Sequence, residues 1–203
     1  MLKPLIALTT ALSIFVCALA STASAATVER MDLDELVQRS DAVVVAQVAD
    51  VQTELDERGR VMSIVELRVR ESLKGPATQT IKIRQIGGAH GNIVTRVPGM
   101  PSFQVADQGV LFLSGDVELR PAAVTGLAQG YFRVALGPDN ATEFAIPQIN
   151  SMNLVVRERT QPTPGTSQLR SVSAADLHLQ VHELDAFKAQ IRALVDSQAR
   201  EEQ

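Results

Sequence analysis

The sequence predicts a mainly β domain, a barrel or a sandwich, with a short helix before it and an amphipathic helix after it. Two observations predict this class. Short apolar segments, either β-branched or alternating with polar residues, recur between residues 41 and 147 and are separated by Gly, Pro and Asp-Asn turns. Apolar residues at helical spacing occur near the two ends of the chain, at 31–40 and 174–200.

The first 25 residues have the layout of a secretory signal peptide. Lys3 supplies a basic start, residues 4–20 are uncharged and mostly apolar, and residues 23–25 read Ala-Ser-Ala, the small-residue pattern of a cleavage site. A membrane anchor is the alternative, but the apolar run is marginal for spanning a bilayer. We therefore expect cleavage after Ala25, export to the periplasm or the medium, and no stable membrane anchor afterwards.

The composition of the expected mature chain argues against several classes of function. The single cysteine, Cys17, falls in the predicted signal peptide, so the mature chain has neither disulfides nor thiol chemistry. Without Lys3, the expected mature chain has 18 basic and 23 acidic side chains, a net charge of −5. Nucleic-acid binding needs a concentrated basic surface. Aromatic platforms for sugars or single strands are also scarce. We expect no nucleic-acid partner.

The first half of the domain contains the clearest elements. Residues 31–40 predict a short helix, because Leu33, Leu36 and Val37 fall on one helical face. Acidic residues stand near its start and Arg39 near its end, as the helix dipole favours. Residues 41–55 form a continuous apolar and β-branched run, which predicts a buried strand.

Two alternating strands follow, at 61–73 and 78–86, and a short apolar run between glycines, 109–115, predicts a central strand. Six of their apolar positions are predicted to be buried in the interior of the barrel: Val44, Val65, Leu67, Ile81, Leu111 and Leu113.

The second half is more interrupted. Segments 117–121, 122–130, 131–136 and 142–147 are predicted as short strands between turns. Residues 157–173 contain two prolines and many Ser and Thr residues, which predicts a flexible linker. A capping pattern at Ser173 and Asp176 then precedes an amphipathic helix. Its apolar face is formed by Leu177, Val181, Leu184, Phe187, Ile191, Leu194 and Val195, with Lys188 on the same stripe.

These elements define the expected organisation of the chain. It comprises a signal peptide (1–25), a β-barrel domain (26–156), the flexible linker (157–173) and the C-terminal helix (174–200). We expect the apolar face of that helix to pack on the outside of its own barrel, because an isolated amphipathic helix is marginally stable in water. Docking on a partner or on a second copy is the alternative.

The segment 87–103, GGAHGNIVTRVPGMPSF, is the candidate functional site. It is long for a loop without secondary structure, and its prolines make it rigid, so it is either a pre-organised binding edge or a plug over the open end of the barrel. The candidate partner-binding residues are Gly87, Gly88, His90, Val97, Pro98, Gly99, Met100, Pro101 and Phe103.

The histidines do not predict catalysis. His178 and His182 are four residues apart, as metal ligands on a helix can be, but both fall away from the apolar stripe and lack a third ligand. His90 could act as a lone base, yet no G-x-S-x-G elbow accompanies it. The glycines of 87–91 do not lead into a helix, as a phosphate loop would. We therefore predict no catalytic residues, no metal site and no cofactor.

The run LVQRSDAVVVAQVADVQ, followed by VELRVRESLKGPATQTIKIRQIGG, resembles the superfamily of tissue inhibitors of metalloproteinases and netrin modules. The later PSFQVADQGVLFL and GLAQGYFRV are similar to segments of uncharacterised exported bacterial proteins of this type. The resemblance implies an OB-like five-stranded β-barrel with a helix packed on it. The animal inhibitors bind the zinc of their target through an N-terminal cysteine, and the expected mature chain has no cysteine.

Taken with the composition, this resemblance leads to three functional hypotheses. The first is an exported, non-enzymatic binding or interaction module with an exported protein as its partner. The alternatives are an inhibitor or accessory protein of an extracellular protease, and a metal-dependent hydrolase that uses His90 or the pair His178 and His182.

Overall fold

A computed structural model describes residues 27–149, 153–157, 169–172 and 181–201. The predicted signal peptide and most of the predicted linker lie outside these residues. The strands are β1 (Thr27–Glu29), β2 (Ala42–Leu55), β3 (Val61–Lys74), β4 (Thr80–Ile86), β5 (Gly88–His90), β6 (Ile93–Thr95), β7 (Gln108–Ser114), β8 (Ala123–Val124), β9 (Tyr131–Leu136), β10 (Glu143–Pro147), β11 (Asn153–Arg157), β12 (Leu169–Val172) and β13 (His182–Glu183). The helices are α1 (Leu33–Gln38), a 3-10 helix (Leu127–Gly130) and α2 (Leu184–Glu201). The predicted mainly β class is thus confirmed.

One antiparallel sheet dominates the structure, in the order β13-β10-β9-β7-β2-β3-β4, with β8 also paired to β7. The predicted closed barrel is not confirmed, because this sheet is not closed. Among the described residues, the link between its β4 edge and the segment leading into β8 is a single bridge, Ile83 to Ala122. Smaller sheets are formed by β1-β11-β12 and by the β5-β6 hairpin. The sequence predicts a flexible linker at 157–173, but residues 169–172 of this segment form strand β12.

One face of the sheet carries the core that the alternating pattern predicts. The six predicted core positions are all buried in a single cluster, which also contains Val48, Ile83 and Tyr131. In β4, Ile81 and Ile83 point inward, while Lys82 and Arg84 are exposed. The predicted inward face of the first three long strands is therefore confirmed.

The opposite face of the sheet is covered by the two α-helices. Asp32 caps α1, accepting a hydrogen bond from the Glu35 amide at 2.9 Å. A second apolar cluster joins both helices to β2, β3, β7, β9 and β10; its buried members are Leu36, Val37, Val43, Val45, Leu73, Val110, Phe112, Phe132, Ala145, Leu184, Phe187 and Ile191. Because alternate residues of β2 belong to the two clusters, the continuous apolar run of this strand is explained by burial on both faces.

The C-terminal helix begins later than the predicted residue 174. His182 and Glu183 extend β10 as strand β13, opposite Ala145 and Phe144, and α2 starts at Leu184. Residues 173–180, including the predicted cap, lie outside the described residues. Val181 is 51% exposed rather than part of the buried stripe. The edge of β10 can form main-chain hydrogen bonds with residues 182 and 183. These bonds would be lost if the two residues formed a helical turn instead.

Residues 117–130 also differ from the predicted strands. Residues 117–120 form a turn over Asp116, whose carboxylate accepts hydrogen bonds from the amides of Glu118 and Leu119 at 3.2 Å. Residues 122–130 contribute the two residues of β8 before the chain turns at Gly126, where φ is 66°, into the 3-10 helix. In this region, the hydrogen bonds to Asp116 and the positive φ of Gly126 therefore stabilise turns in place of the strands that the apolar pattern predicts.

Candidate functional site

The first half of the predicted loop 87–103 is a β-hairpin, in which β5 and β6 are joined at Gly91 and Asn92. Gly88 permits this hairpin to lie close to the main sheet. Its φ is 116°, and a Cβ atom at this position would come within 2.6 Å of Ser63 Oγ. Glycine is required at this position both for the backbone conformation and for the close approach.

Hydroxyl groups on the inner face of β2 and β3 hold the hairpin in place. Ser63 Oγ donates to the Gly87 carbonyl at 2.7 Å, and Thr53 Oγ1 donates to the Ala89 carbonyl at 2.9 Å. His90 Nδ1 lies 2.9 Å from the Thr53 carbonyl oxygen. The hairpin is therefore fixed over the end of the sheet by several hydrogen bonds.

The second half of the segment is a tight turn that packs against the core. Met100 N donates to the Val97 carbonyl at 3.2 Å, and the buried Gly99 accepts from Ala128 N at 2.9 Å. Half-buried Phe103 places its ring centroid 4.9 Å from that of Tyr131. This side of the site is thus anchored to the core by an aromatic contact.

A groove with a volume of about 700 Å³ lies between the segment 95–103 and the inner face of the β2-β3 hairpin. Most of its lining is apolar. The lining residues are Val51, Thr53, Ser63, Val65, Gln85, Ile86, Gly87, Gly88, Ala89, Thr95, Arg96, Val97, Pro98, Met100, Pro101, Ser102 and Phe103.

Seven of the nine candidate residues line this groove. The two that do not are His90, which is exposed beside Thr53, and Gly99, which is buried beneath the turn. The wall formed by β2 and β3 was not predicted as part of the site. The sequence does mark Ser63 as unusual, because it is a polar residue on the apolar face of an alternating strand, and this could have indicated a role in the site.

Two polar side chains give the groove its chemical character. Arg96 is the one charged residue among those that line it, and its side chain is exposed. Gln85 donates from Nε2 to the Pro101 carbonyl at 2.8 Å, while its buried Oε1 has no hydrogen-bond partner among the described residues. An unpaired buried acceptor is costly unless a ligand or water supplies a donor.

Behind the groove, Tyr131 is buried in the apolar core. Its hydroxyl group has no hydrogen-bond partner in the described part of the chain, and burial, reinforced by Asp107, raises the pKa of Tyr131 above its ordinary value of 10.0. Phe103 contacts this ring and also lines the groove. The Tyr131 hydroxyl group therefore stays protonated and uncharged, and the ring serves as part of the apolar core.

His182 does not occupy the exposed helical position that was predicted for it. It lies in strand β13, is half-buried, and stacks on Phe187 with 4.7 Å between ring centroids. It therefore cannot form the predicted helical pair with His178, which lies outside the described residues.

Across the described ranges, no three His, Cys, Asp or Glu side chains come together to hold a metal ion. Within the same residues, no helix has the length and apolar character needed to cross a membrane.

The environment of His182 predicts a pH-dependent stability. Burial lowers the pKa of His182 below its ordinary value of 6.5. The unfolded chain therefore binds more protons than the folded chain between the lowered pKa and 6.5, so stability is full above this window and is lost as the pH falls through it. Thermal unfolding at successive pH values should show this loss.

The variant His182→Phe separates this effect from other titrations. It keeps an aromatic ring beside Phe187 and removes the ionisable group, so its midpoint should fall less than that of the parent protein over the same pH range. Gln190→Ala is the control, because Gln190 is exposed on the following helix and carries no ionisable group, and it should retain the parental pH dependence. An identical pH dependence in His182→Phe and the parent would show that His182 does not contribute.

Comparison with known proteins adds no family to this description: no protein-family model matches the chain, and none of the curated proteins is significantly similar to it.

Proposed function

We propose that the protein is an exported, non-enzymatic binding module, and that the groove beside the segment 87–103 is its binding site. The observation that carries the proposal is an apolar groove that holds one buried acceptor without a hydrogen-bond partner among the described residues, Gln85 Oε1, and one cation, Arg96. Apolar concave sites with a few placed polar groups are typical of binding sites. An exported protein is the partner that we propose.

The residues of the groove favour binding over reaction. Its two serines, Ser63 and Ser102, have no histidine, aspartate or glutamate beside them among the lining residues. Ser63 Oγ instead donates to the Gly87 carbonyl, which is a structural contact. Nucleophilic catalysis needs a base within hydrogen-bond reach of the nucleophile, so we assign the groove a binding role.

We also propose that strands β2, β3, β4, β8 and β7 represent an OB-like barrel with an incomplete closure. The main-chain bonds at Ala122 support this: its amide donates to the Lys82 carbonyl at 2.7 Å, and its carbonyl accepts from Arg84 N at 3.0 Å. These two bonds bring the β4 edge to the segment that enters β8. The barrel would leave the groove at one open end, beneath the β5-β6 hairpin.

A fluorescent probe tests the binding site. Anilinonaphthalene sulfonate combines an apolar body with one negative charge, which suits an apolar groove beside Arg96. We expect it to bind one site per chain. Ser102→Phe should weaken this binding by at least about tenfold, equivalent to about 1.4 kcal/mol, because Ser102 lines the groove and is exposed, so the larger side chain can fill the groove without disturbing the core.

The control is Leu119→Phe, since Leu119 is 80% exposed and lies outside the groove. It should leave probe binding unchanged. Unfolding midpoints of both variants establish that they fold. No saturable binding by the folded parent protein, or equal binding by the two variants, would contradict the proposed site.

A further inference from the structure

Strand β2 has an edge that no strand covers among the residues the structure describes. It runs to Leu55, but β7 pairs with it only as far as Gln47. Next to this ladder, Val48 N donates to the Asp107 carbonyl at 2.8 Å and the Val48 carbonyl accepts from Ala106 N at 2.9 Å. Beyond Val48, the part of the chain that the structure describes supplies no further main-chain partner on this side of β2. Such an edge is a template for an added strand.

The strand register shows which main-chain groups face outward. Val61 lies opposite Leu55, yet its carbonyl accepts from Gly87 N, on the side away from β2. Directly opposite residues of an antiparallel pair either exchange both hydrogen bonds or none, and the two kinds of pair alternate. The main-chain groups of Leu55, Thr53 and Val51 therefore point away from β3, towards the uncovered edge.

Two side chains shield this edge in place of a strand. Asp50 Oδ1 accepts from Val51 N at 2.9 Å. Nδ1 of His90 lies 2.9 Å from the Thr53 carbonyl, and since a carbonyl oxygen can only accept, Nδ1 is the donor. A side chain can rotate away from the edge, whereas a paired strand would have to be displaced as a unit.

The groove lies directly beside the uncovered edge. Val51 and Thr53 of this strand line it, together with Met100 and Phe103. A strand added to β2 would place alternate side chains over the same apolar surface, because successive side chains of a strand point to opposite faces. The unpaired Gln85 Oε1 is also suited to accept a hydrogen bond from an incoming N–H group.

We propose that the groove binds an extended acidic peptide of a partner protein, which adds to the edge of β2 at Val51–Leu55 as a further strand. Its apolar side chains enter the groove at alternate positions, and an Asp or Glu side chain pairs with Arg96. Charge complementarity selects this partner, since Arg96 is the sole charged residue among those that line the groove. Main-chain hydrogen bonds and alternate side-chain pockets are the two components of recognition by strand addition. This inference rests on the proposed function.

A library of six-residue peptides, randomised at every position and capped at both ends, is the probe. The caps leave side chains as the only source of carboxylates. With the full chain, the peptides selected should alternate apolar and polar residues and include Asp or Glu. Arg96→Gln should weaken their binding by about two- to fivefold, as loss of an exposed ion pair does. Arg96→Glu should shift the selection towards Lys and Arg, and Arg120→Glu, an exposed control outside the groove, should not.

N-methylation of the best peptide tests the added strand itself. Methylating the residues whose N–H groups face β2 should weaken binding at least about tenfold, the effect of losing about 1.4 kcal/mol, while methylating the alternate residues should not. Equal effects at both sets, or no peptide with a Kd below roughly 1 mM, would overturn the inference. If the fluorescent probe then still occupies the groove, the binding site stands and only the peptide is wrong. If the probe also fails, the proposed function falls with it.

Discussion

Replacement of Leu67 by alanine is expected to lower the free energy of unfolding by about 2–5 kcal/mol, the range for a buried leucine. Leu67 is completely buried and lies between Val48 of β2 and Ile81 of β4 in the cluster that the alternating strands form. Truncation leaves a cavity that the paired strands cannot readily fill. The measurement is denaturant unfolding, and a loss of this size is a large part of the stability of a typical domain.

Arg68→Ala is the matched control for Leu67→Ala. Arg68 is the next residue of the same strand, and its side chain is exposed on the other face. Surface substitutions of this kind usually change stability by less than about 0.5 kcal/mol. Comparable losses in the two variants would mean that the side chains of β3 do not face as described.

Replacement of Phe187 by alanine is expected to cost about 3–5 kcal/mol, as for other buried phenylalanines. Phe187 is 1% exposed and joins α2 to the sheet. Its ring centroid lies 4.8 Å from that of Phe132 on β9 and 4.7 Å from that of His182 on β13. If α2 served only a partner, the variant would lose association and keep its stability, so denaturant unfolding of the isolated protein distinguishes the two roles.

The charged contacts of α2 are too weak to mask this effect. Lys188 Nζ lies 3.3 Å from a carboxylate oxygen of Glu71, and Arg192 pairs with the same carboxylate. Partly exposed pairs of this kind contribute about 0–1 kcal/mol each, less than the burial of one aromatic ring. Gln190→Ala is the control, because Gln190 is exposed on the same helix. An unchanged unfolding midpoint in Phe187→Ala would contradict the packing of α2 on its own sheet.

The long strands could be predicted because their patterns follow directly from burial. β3 and β4 alternate because one side of each strand faces the core, while Arg68, Lys82 and Arg84 on the other side are exposed to water. β2 is apolar at successive positions because both of its faces are covered. These patterns depend on the period of two along a strand, which does not require knowledge of the partner strands.

The prediction was wrong where two local structures compete for the same residues. The segment 117–130 has enough apolar residues for strands, but the carboxylate of Asp116 and the backbone of Gly126 stabilise turns instead. Near the C-terminus, apolar spacing continues across Val181 to Leu184, yet His182 and Glu183 pair with β10. Helical spacing cannot reveal that a sheet edge is available, because that edge is contributed by residues about 40 positions earlier.

Residue patterns alone predict the mainly β class, the buried face of each long strand and the unusual glycine-proline segment 87–103. They do not predict that this segment is a hairpin and a turn, or that it encloses a groove with Val51, Thr53, Ser63 and Val65. Composition limits the conformations that a segment can adopt, whereas a groove needs two walls. The second wall comes from residues distant in sequence, and the pairing of β2, β3 and β4 brings it there.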